Sequence, residues 1–323
     1  MMAEHASGRL PFRRVLVTGA DGFVGRHFVP ALAARLAEGA VLMLASRQTV
    51  AGPDRITLDL TDSVSVAAAI DTVRPDLVVH LAAQASVDLS LGTAADTWAT
   101  NLGGSLALAR AVATTVPECT VLLASSAEVY GLTFNEGCAT EAAPLRPQGP
   151  YARSKAATEA MFADVLPHSA RLIVARPSNH SGSGQDERFV IPTFAAQIAR
   201  IEAGASPEIR VGNLDAERDF LDVRDVVAAY VALLAKSPGL PTYSLFNIAS
   251  GQTVRIYDIL ARLRALSCVA TTVTQDPNRM RQSEVPSARI DSRAIHAATG
   301  WIPQHDLDGM LTAVLEEQRA RFR

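Results

Sequence analysis

The sequence predicts an α/β fold: a doubly wound parallel sheet joined to a smaller mixed α/β C-terminal part. Three observations predict it. Short, continuously apolar, β-branched runs alternate with longer Ala- and Leu-rich segments, the pattern of parallel strands covered on both faces by crossover helices. A glycine-spaced turn with Gly19, Gly22 and Gly25 follows the first apolar run and opens the first helical segment. After about residue 176 the alternation stops, and Pro, Gly, Asn and Ser cluster through Arg176–Gln185.

In chain order, buried strands are expected at Val15–Thr18, Val41–Ala45, Ile56–Asp59, Leu77–Leu81, Thr120–Ala124 and Leu172–Ala175. Between them the apolar spacing predicts helices near 24–38, 63–73, 94–115 and 151–165. Right-handed crossovers between such strands wind the sheet in both directions. Later helices are expected near 191–203, 222–236 and 307–321. Length suggests two domains. The expected division is 12–176, with returning segments at about 210–235, and an interleaved second part, 177–323.

Composition narrows the functional classes. With 48% hydrophobic and 20% charged residues, the chain has enough apolar side chain for a sizeable core, which excludes disorder. A formal net charge of −3 leaves no basic field for nucleic acid. Cys119, Cys138 and Cys268 are odd in number and lack metal-ligand spacing, so a reducing cytoplasm and no metal are expected. The apolar stretch Phe28–Ala45 is interrupted by Pro30, Arg35 and Glu38, so no membrane span is expected. The opening MMAEHASGRL has no apolar core, which argues against a secretory leader and for a frayed tail. Among 30 basic residues only Lys155 and Lys236 are lysines. A lysine retained against that bias has a reason to be lysine.

The glycine turn runs Gly19-Ala-Asp21-Gly22-Phe23-Val24-Gly25. Glycine permits a tight turn and lets the backbone approach a pyrophosphate. The helix that follows offers unpaired N–H groups and a positive dipole end to that anion. A packing turn would use the same glycines. Position on the first βα unit favours dinucleotide binding. The second strand ends Ala45-Ser46-Arg47, with no carboxylate to accept from an NAD ribose. Arg47 can pair with a 2′-phosphate, which favours NADP(H) over NAD(H). Otherwise Arg47 is a solvated surface charge. Asp59 and Leu60, at the end of the third strand, are in position to meet the adenine. Asp59 could equally belong to the cap region of the next helix.

Tyr151-Ala-Arg-Ser-Lys155 opens a helix, and an i,i+4 pair shares one face. A neighbouring cation favours phenolate and lowers the tyrosine pKa, which tunes Tyr151 for proton transfer. With five tyrosines and two lysines, chance supplies this spacing only about 0.03 times. Leu122-Leu-Ala-Ser-Ser126-Ala127-Glu128-Val-Tyr-Gly131 follows the fifth strand, where a doubly wound sheet binds ligands. Ser126 can hydrogen-bond a carbonyl or developing alkoxide. It could also be an ordinary turn serine.

These motifs, in this order and with His80-Leu81-Ala82-Ala83 and Asn101 between them, resemble the extended short-chain dehydrogenase/reductases that act on nucleotide-activated sugars. The resemblance covers nearly the whole chain. It implies a Rossmann NADP-binding domain and a Ser126/Tyr151/Lys155 triad. It selects Ser126 over Ser125, makes Tyr151 the acid/base, and has Lys155 also hold the nicotinamide ribose. Leu81, Ala82, Ala83, Asn101 and Arg176 join the implied coenzyme contacts. A homodimer through the 94–115 and 151–165 helices is implied as well.

The C-terminal half resembles one branch. Arg176-Pro-Ser-Asn179-His-Ser-Gly-Ser-Gly-Gln185 is similar to a segment of the GDP-4-keto-6-deoxy-D-mannose reductases. Gly212–Asp225 is similar to a run shared with the GDP-mannose 4,6-dehydratases, and Arg279–Pro286 to their late segment. A diphosphate wants fixed cations, and Arg218 and Arg281 are candidates. A ribose diol wants a carboxylate, and Glu284 is the candidate. Asn179 can bridge phosphate or hydroxyl groups. Val190, Ser126, Ala127 and Glu128 complete the expected substrate contacts. Dehydratases have Asp or Ser where this chain has Ala127, which argues against dehydration.

The resulting expectation is NADPH-dependent reduction of GDP-4-dehydro-6-deoxy-α-D-mannose to GDP-D-rhamnose, a surface polysaccharide precursor. Alternatives are a talose-forming reductase, an NAD-dependent 4-epimerase or 4,6-dehydratase, and a non-catalytic dinucleotide sensor.

Overall fold

A computed structural model describes residues 8–47, 52–85, 87–279 and 285–322. Its first half is built from β1 (Arg14–Thr18), α1 (Phe23–Ala33), β2 (Val41–Ser46), β3 (Arg55–Thr57), α2 (Ser63–Val73) and β4 (Leu77–His80). Next come α3 (Val87–Gly92), α4 (Ala94–Trp98), a π-helical turn over Ala99–Gly104, α5 (Ser105–Thr115), β5 (Thr120–Ala124), α6 (Gly149–Val165) and β6 (Arg171–Pro177).

The order of the main sheet is β10-β6-β5-β4-β1-β2-β3, where β10 spans Tyr243–Ile248. All six pairings are parallel. The order reverses between β1 and β4, so the crevice beyond their carboxyl ends is the ligand-binding switch point of such a sheet. β4 is Leu-Val-Val-His with all four residues buried. Strands with no polar face need cover on both sides, and two clusters supply it. One packs Phe28 and Leu32 of α1 against Tyr230 and Leu234, and the other packs Ile70 of α2 against Leu108 and Val112 of α5.

The remaining elements are β7 (Asn179–Ser181), α7 (Val190–Glu202), β8 (Glu208–Val211), β9 (Glu217–Asp222), α8 (Val223–Lys236) and β11 (Thr253–Arg255). They continue through α9 (Ile256–Ala265), β12 (Thr272–Gln275), β13 (Ser287–Ala288), α10 (Arg293–Thr299) and α11 (Leu307–Ala320). β9 is flanked by β11 and β13 and also pairs with β7, while β8 pairs with β12. Ile191, Ile198, Leu260 and Leu311 lie in a separate core between α7, α9 and α11.

The α/β doubly wound architecture is as the sequence predicts. Several elements differ in detail. The expected 94–115 helix is broken into α4, the π turn and α5. Gly103 and Gly104 weaken it there, and Gly104 lies so close to Leu60 that a Cβ would sit 2.7 Å from the Leu60 Cβ. The third strand is only three residues long and partly exposed, because it is the sheet edge. Within the expected return near 210–235, α8 packs on the main sheet with Phe28 and Leu32 of α1. Residues 208–222 form strands of the small sheets, and β10 adds a seventh strand beside β6. Among the described residues, no helix is long and apolar enough to cross a membrane.

Candidate active site

The turn after β1 is shaped by backbone crowding. Gly19 has φ +74°, and a Cβ on it would meet the Ala82 nitrogen at 2.7 Å. Gly25 is packed against the same turn, with a Cβ only 2.2 Å from the Gly19 carbonyl oxygen. Gly22 caps α1 without a side-chain hydrogen bond, so the first N–H groups of the helix face the crevice without a side-chain acceptor. This bare, close-approach turn fits a pyrophosphate.

The opposite wall is the 81–83 turn after β4. Thr18 Oγ1 accepts from the Ala82 N–H at 3.3 Å and contacts His80 Nδ1 at 2.7 Å, while His80 Nε2 contacts Ser105 Oγ at 2.9 Å. Burial, with Lys155 charge nearby, pushes the His80 pKa down to about 3. His80 is therefore a neutral bridge between β1, β4 and α5. Leu81, Ala82 and Ala83 are all partly exposed beside it.

Asn101 is 2% exposed. Its amide accepts from the Gln84 N–H at 2.8 Å and donates to the Gln84 carbonyl and to Ser154 Oγ. The side chain expected to touch coenzyme is thus consumed in holding the 81–85 turn to α6. The π turn that carries Asn101 is the kind of helix irregularity that marks functional sites.

At the adenosine end, Arg47 is exposed at the end of β2, close enough to Asp59 to lower its pKa. The stronger influence on Asp59 is Thr61, whose N–H and hydroxyl both donate to its carboxylate. Asp59 thus organises the turn before α2, and Asp62 is the helix cap. Leu60 is buried in the α2–α5 core. Asp21, in the glycine turn, is paired with Arg55 of β3 at 2.7 Å. Sequence reading missed Arg55 because the pair joins residues 34 apart.

Tyr151, Ser126 and Lys155 come together at the carboxyl end of β5, each 7–9% exposed. Ser126 lies beside the Tyr151 side chain. Ser126 Oγ also accepts from the Glu128 N–H at 3.2 Å, capping the turn over Ala127–Tyr130. Lys155 Nζ donates to the Ala124 carbonyl at 2.7 Å.

The expected lowering of the Tyr151 pKa by Lys155 is corrected here. Burial dominates and pushes the phenol up to about 12, Ser126 opposes it, and Glu128 adds to it. Burial also lowers Lys155 to about 8, partly offset by Glu159. The resting tyrosine is a protonated acid.

The Arg176 guanidinium, expected among the coenzyme contacts, turns inward to Glu159 and Tyr130, and the residue is 4% exposed. Ala127 is buried in a cluster with Val129 and Phe134. Glu128 is partly exposed beside Tyr151. Asn179 is partly exposed on β7, and Val190 is partly buried at the start of α7. Arg218 on β9 donates to the Glu217 carbonyl at 2.8 Å. Arg281 and Glu284 lie outside the described residues.

His180 was not singled out from sequence. Its ring stacks on Phe23 of α1 at 6.1 Å with a 7° interplanar angle, and burial lowers its pKa. A histidine in a Gly/Ser-rich loop after a strand was the available signal. His27 and Arg26 of α1 donate to the Ser183 and Gly184 carbonyls, fastening that loop beside the glycine turn. Among the described residues, no three His, Cys, Asp or Glu side chains gather to hold a metal.

A parallel sheet with a bare glycine turn at its switch point, and Ser126, Tyr151 and Lys155 buried together at the end of β5, two strands along from β1, defines an extended short-chain dehydrogenase/reductase, an oxidoreductase class. Residues 16–314 match a family model described as GDP-mannose 4,6 dehydratase, and the chain belongs to that family. A curated relative, GDP-6-deoxy-D-mannose reductase of Pseudomonas aeruginosa, is 35% identical over 96% of this chain and 99% of its own length. The solved structure of RMD from Pseudomonas aeruginosa complexed with NADPH has TM-score 0.81 and 33% identity, covering 95% of this chain and 99% of that one. The UDP-glucose 4-epimerase of Thermus thermophilus in complex with NAD has TM-score 0.81 at 26% identity, covering 95% and 99%.

Proposed function

We propose that this chain reduces the C4 keto group of GDP-4-dehydro-6-deoxy-α-D-mannose to give GDP-D-rhamnose, with NADP(H) as preferred coenzyme and NAD(H) as a weaker one. The observation that carries this reading is the buried gathering of Ser126, Tyr151 and Lys155 at the carboxyl end of β5. The curated reductase relative and the NADPH-bound neighbour support it.

The glycine turn and the N-terminus of α1 would hold the pyrophosphate, and Arg47 the 2′-phosphate. The reduced nicotinamide supplies the hydride that reaches C4 of the sugar. Ser126 holds the carbonyl oxygen. Tyr151, kept protonated by burial, gives its proton to that oxygen as the alcohol forms. Lys155, charged below about pH 8, offsets the negative charge left on Tyr151 and orients the coenzyme ribose. Asn179, Val190, Glu128 and Arg218 are the proposed sugar-nucleotide contacts, with Arg281 and Glu284 completing them.

The test supplies the 4-keto GDP-sugar with NADPH or NADH and follows loss of the reduced-nicotinamide absorbance, then examines the product by NMR. Turnover to the rhamnose configuration supports the reading. A talose configuration keeps the chemistry and reverses the face. No oxidation of either coenzyme overturns it in favour of an epimerase, which would purify with NAD.

The same reading has residues 12–176 serve the coenzyme and 177–323 the GDP-sugar, in a cytoplasmic enzyme that feeds polysaccharide assembly. It also has α4, α5 and α6 pair with a second copy. Gly103, Leu106 and Ala107 in that stretch are exposed or partly exposed. Sedimentation showing only monomer at micromolar concentration would oppose the dimer.

A further inference from the structure

Glu159 of α6 and Arg176 of β6 form an ion pair whose side chains are each 5% exposed. Arg176 Nε reaches Oε1 and Oε2 at 3.0 and 3.2 Å, and Nη2 reaches Oε2 at 2.5 Å. Two charges withdrawn from water in this way stabilise a fold no better than apolar side chains of the same volume. Their neighbours indicate what else the pair does.

Ser125 Oγ donates to Glu159 Oε1, while the Ser125 N–H is fixed to the Ala175 carbonyl at 2.8 Å. Arg176 Nη1 donates to the Tyr130 hydroxyl at 2.9 Å, with the guanidinium 4.9 Å from the ring centroid. Tyr130 donates in turn to Asn247 Oδ1 of β10 at 2.7 Å. The pair therefore grips both ends of the turn that carries Ser126. Along α6, Glu159 follows Lys155 by one turn and Tyr151 by two, on one helix face.

We propose that Glu159, held by Arg176, is a positioning residue for proton transfer: it fixes the Ser125–Tyr130 turn and sets a negative charge one turn beyond Lys155. The inference rests on the function proposed for that site. Among the described residues, the ionisable groups around Lys155 and Glu159 include His80 from β4, Tyr130 after β5, Tyr151 on α6, Arg176 from β6 and Tyr243 from β10. His80 is neutral at working pH, so Glu159 is the anion that favours the Lys155 charge.

Three variants test this, each first checked for a native melting transition. Ser125→Ala removes one grip without disturbing the charges, and its kcat should fall about tenfold or more with KM little changed. Glu159→Gln should move the alkaline limb of kcat down by about one pH unit, and Glu159→Asp should restore part of it. Glu159→Leu with Arg176→Met leaves no lone buried charge, so it should fold and show the same kinetic loss. Wild-type kcat in folded Ser125→Ala, or an unmoved limb in a folded Glu159 variant, would overturn the proposal. A second arm needs no sugar: the pH above which NADPH binding weakens, read by nicotinamide fluorescence, should shift down in Glu159→Gln. An unshifted profile would also overturn it. Inactivity of the wild type toward the GDP-sugar would instead strike the proposed function.

Discussion

Lys155 gives its ammonium to the Ala124 carbonyl at 2.7 Å, which ties α6 to the end of β5 two residues before Ser126. The lysine thus helps register the helix bearing Tyr151 against the strand bearing Ser126. Its burial brings its pKa to about 8, and this has a measurable consequence. The charge is present below that value and lost above it. Turnover should hold to about pH 8 and decline beyond, so a kcat profile level to pH 10 would sink the role given to Lys155.

Tyr151→Phe removes the proton donor and leaves the ring in place. Turnover should fall on the order of 10²–10⁴-fold, with the melting temperature and coenzyme affinity near wild type. Stopped-flow single turnover is the check, and near-normal rates would rule out Tyr151 as the acid.

Arg47→Ala removes the exposed cation at the end of β2. The KM for NADPH should rise about tenfold or more while that for NADH stays unchanged, since only the former carries the 2′-phosphate. Equal changes for both coenzymes would assign Arg47 to the surface.

Gly25→Ala puts a Cβ 2.2 Å from the Gly19 oxygen and 2.5 Å from the Ala20 oxygen. Both obstacles are backbone, so the turn itself must move. The substitution should destabilise the protein by about 1–3 kcal/mol and abolish coenzyme binding. A thermal melt and a fluorescence titration read the two effects, and unchanged binding would contradict the pyrophosphate assignment.

His80 is pushed from 6.5 down to about 3. Over that range the unfolded chain binds a proton that the native state refuses, so native stability falls as pH drops from about 6.5 toward 3. The contribution present at neutral pH is on the order of a few kcal/mol. NMR of the His80 ring should show no titration above pH 5, and a midpoint near 6.5 would refute the buried neutral bridge.

The strand–helix rhythm, the glycine turn and the Tyr151/Lys155 pair were legible because each is encoded by short-range spacing. What lies at the end of each side chain was less legible. The resemblance places Arg176 among the coenzyme contacts, and only the structure shows Glu159, 17 residues away, held against it. The tyrosine–lysine spacing suggests mutual tuning, yet the Lys155 partner is a carbonyl 31 residues earlier, and burial decides the Tyr151 pKa. Asn101 sits in a motif that suggests contact with coenzyme, but its amide is spent on Gln84 and Ser154. β10 was missed because its Tyr-Ser-Leu-Phe-Asn-Ile pattern, with polar Ser244 and Asn247 inside it, lacks the unbroken apolar run of the earlier strands.

The position of β10 beside β6 bears on how the protein is made. The last strand of the main sheet emerges from the ribosome after β7, β8 and β9, which belong elsewhere. Until it arrives, the nascent chain carries β6 as an open edge with Leu172, Ile173, Val174 and Ala175, all buried once the sheet is complete. An unpaired apolar edge is a template for joining another chain. A fragment ending at residue 176 therefore inherits a surface prone to self-association.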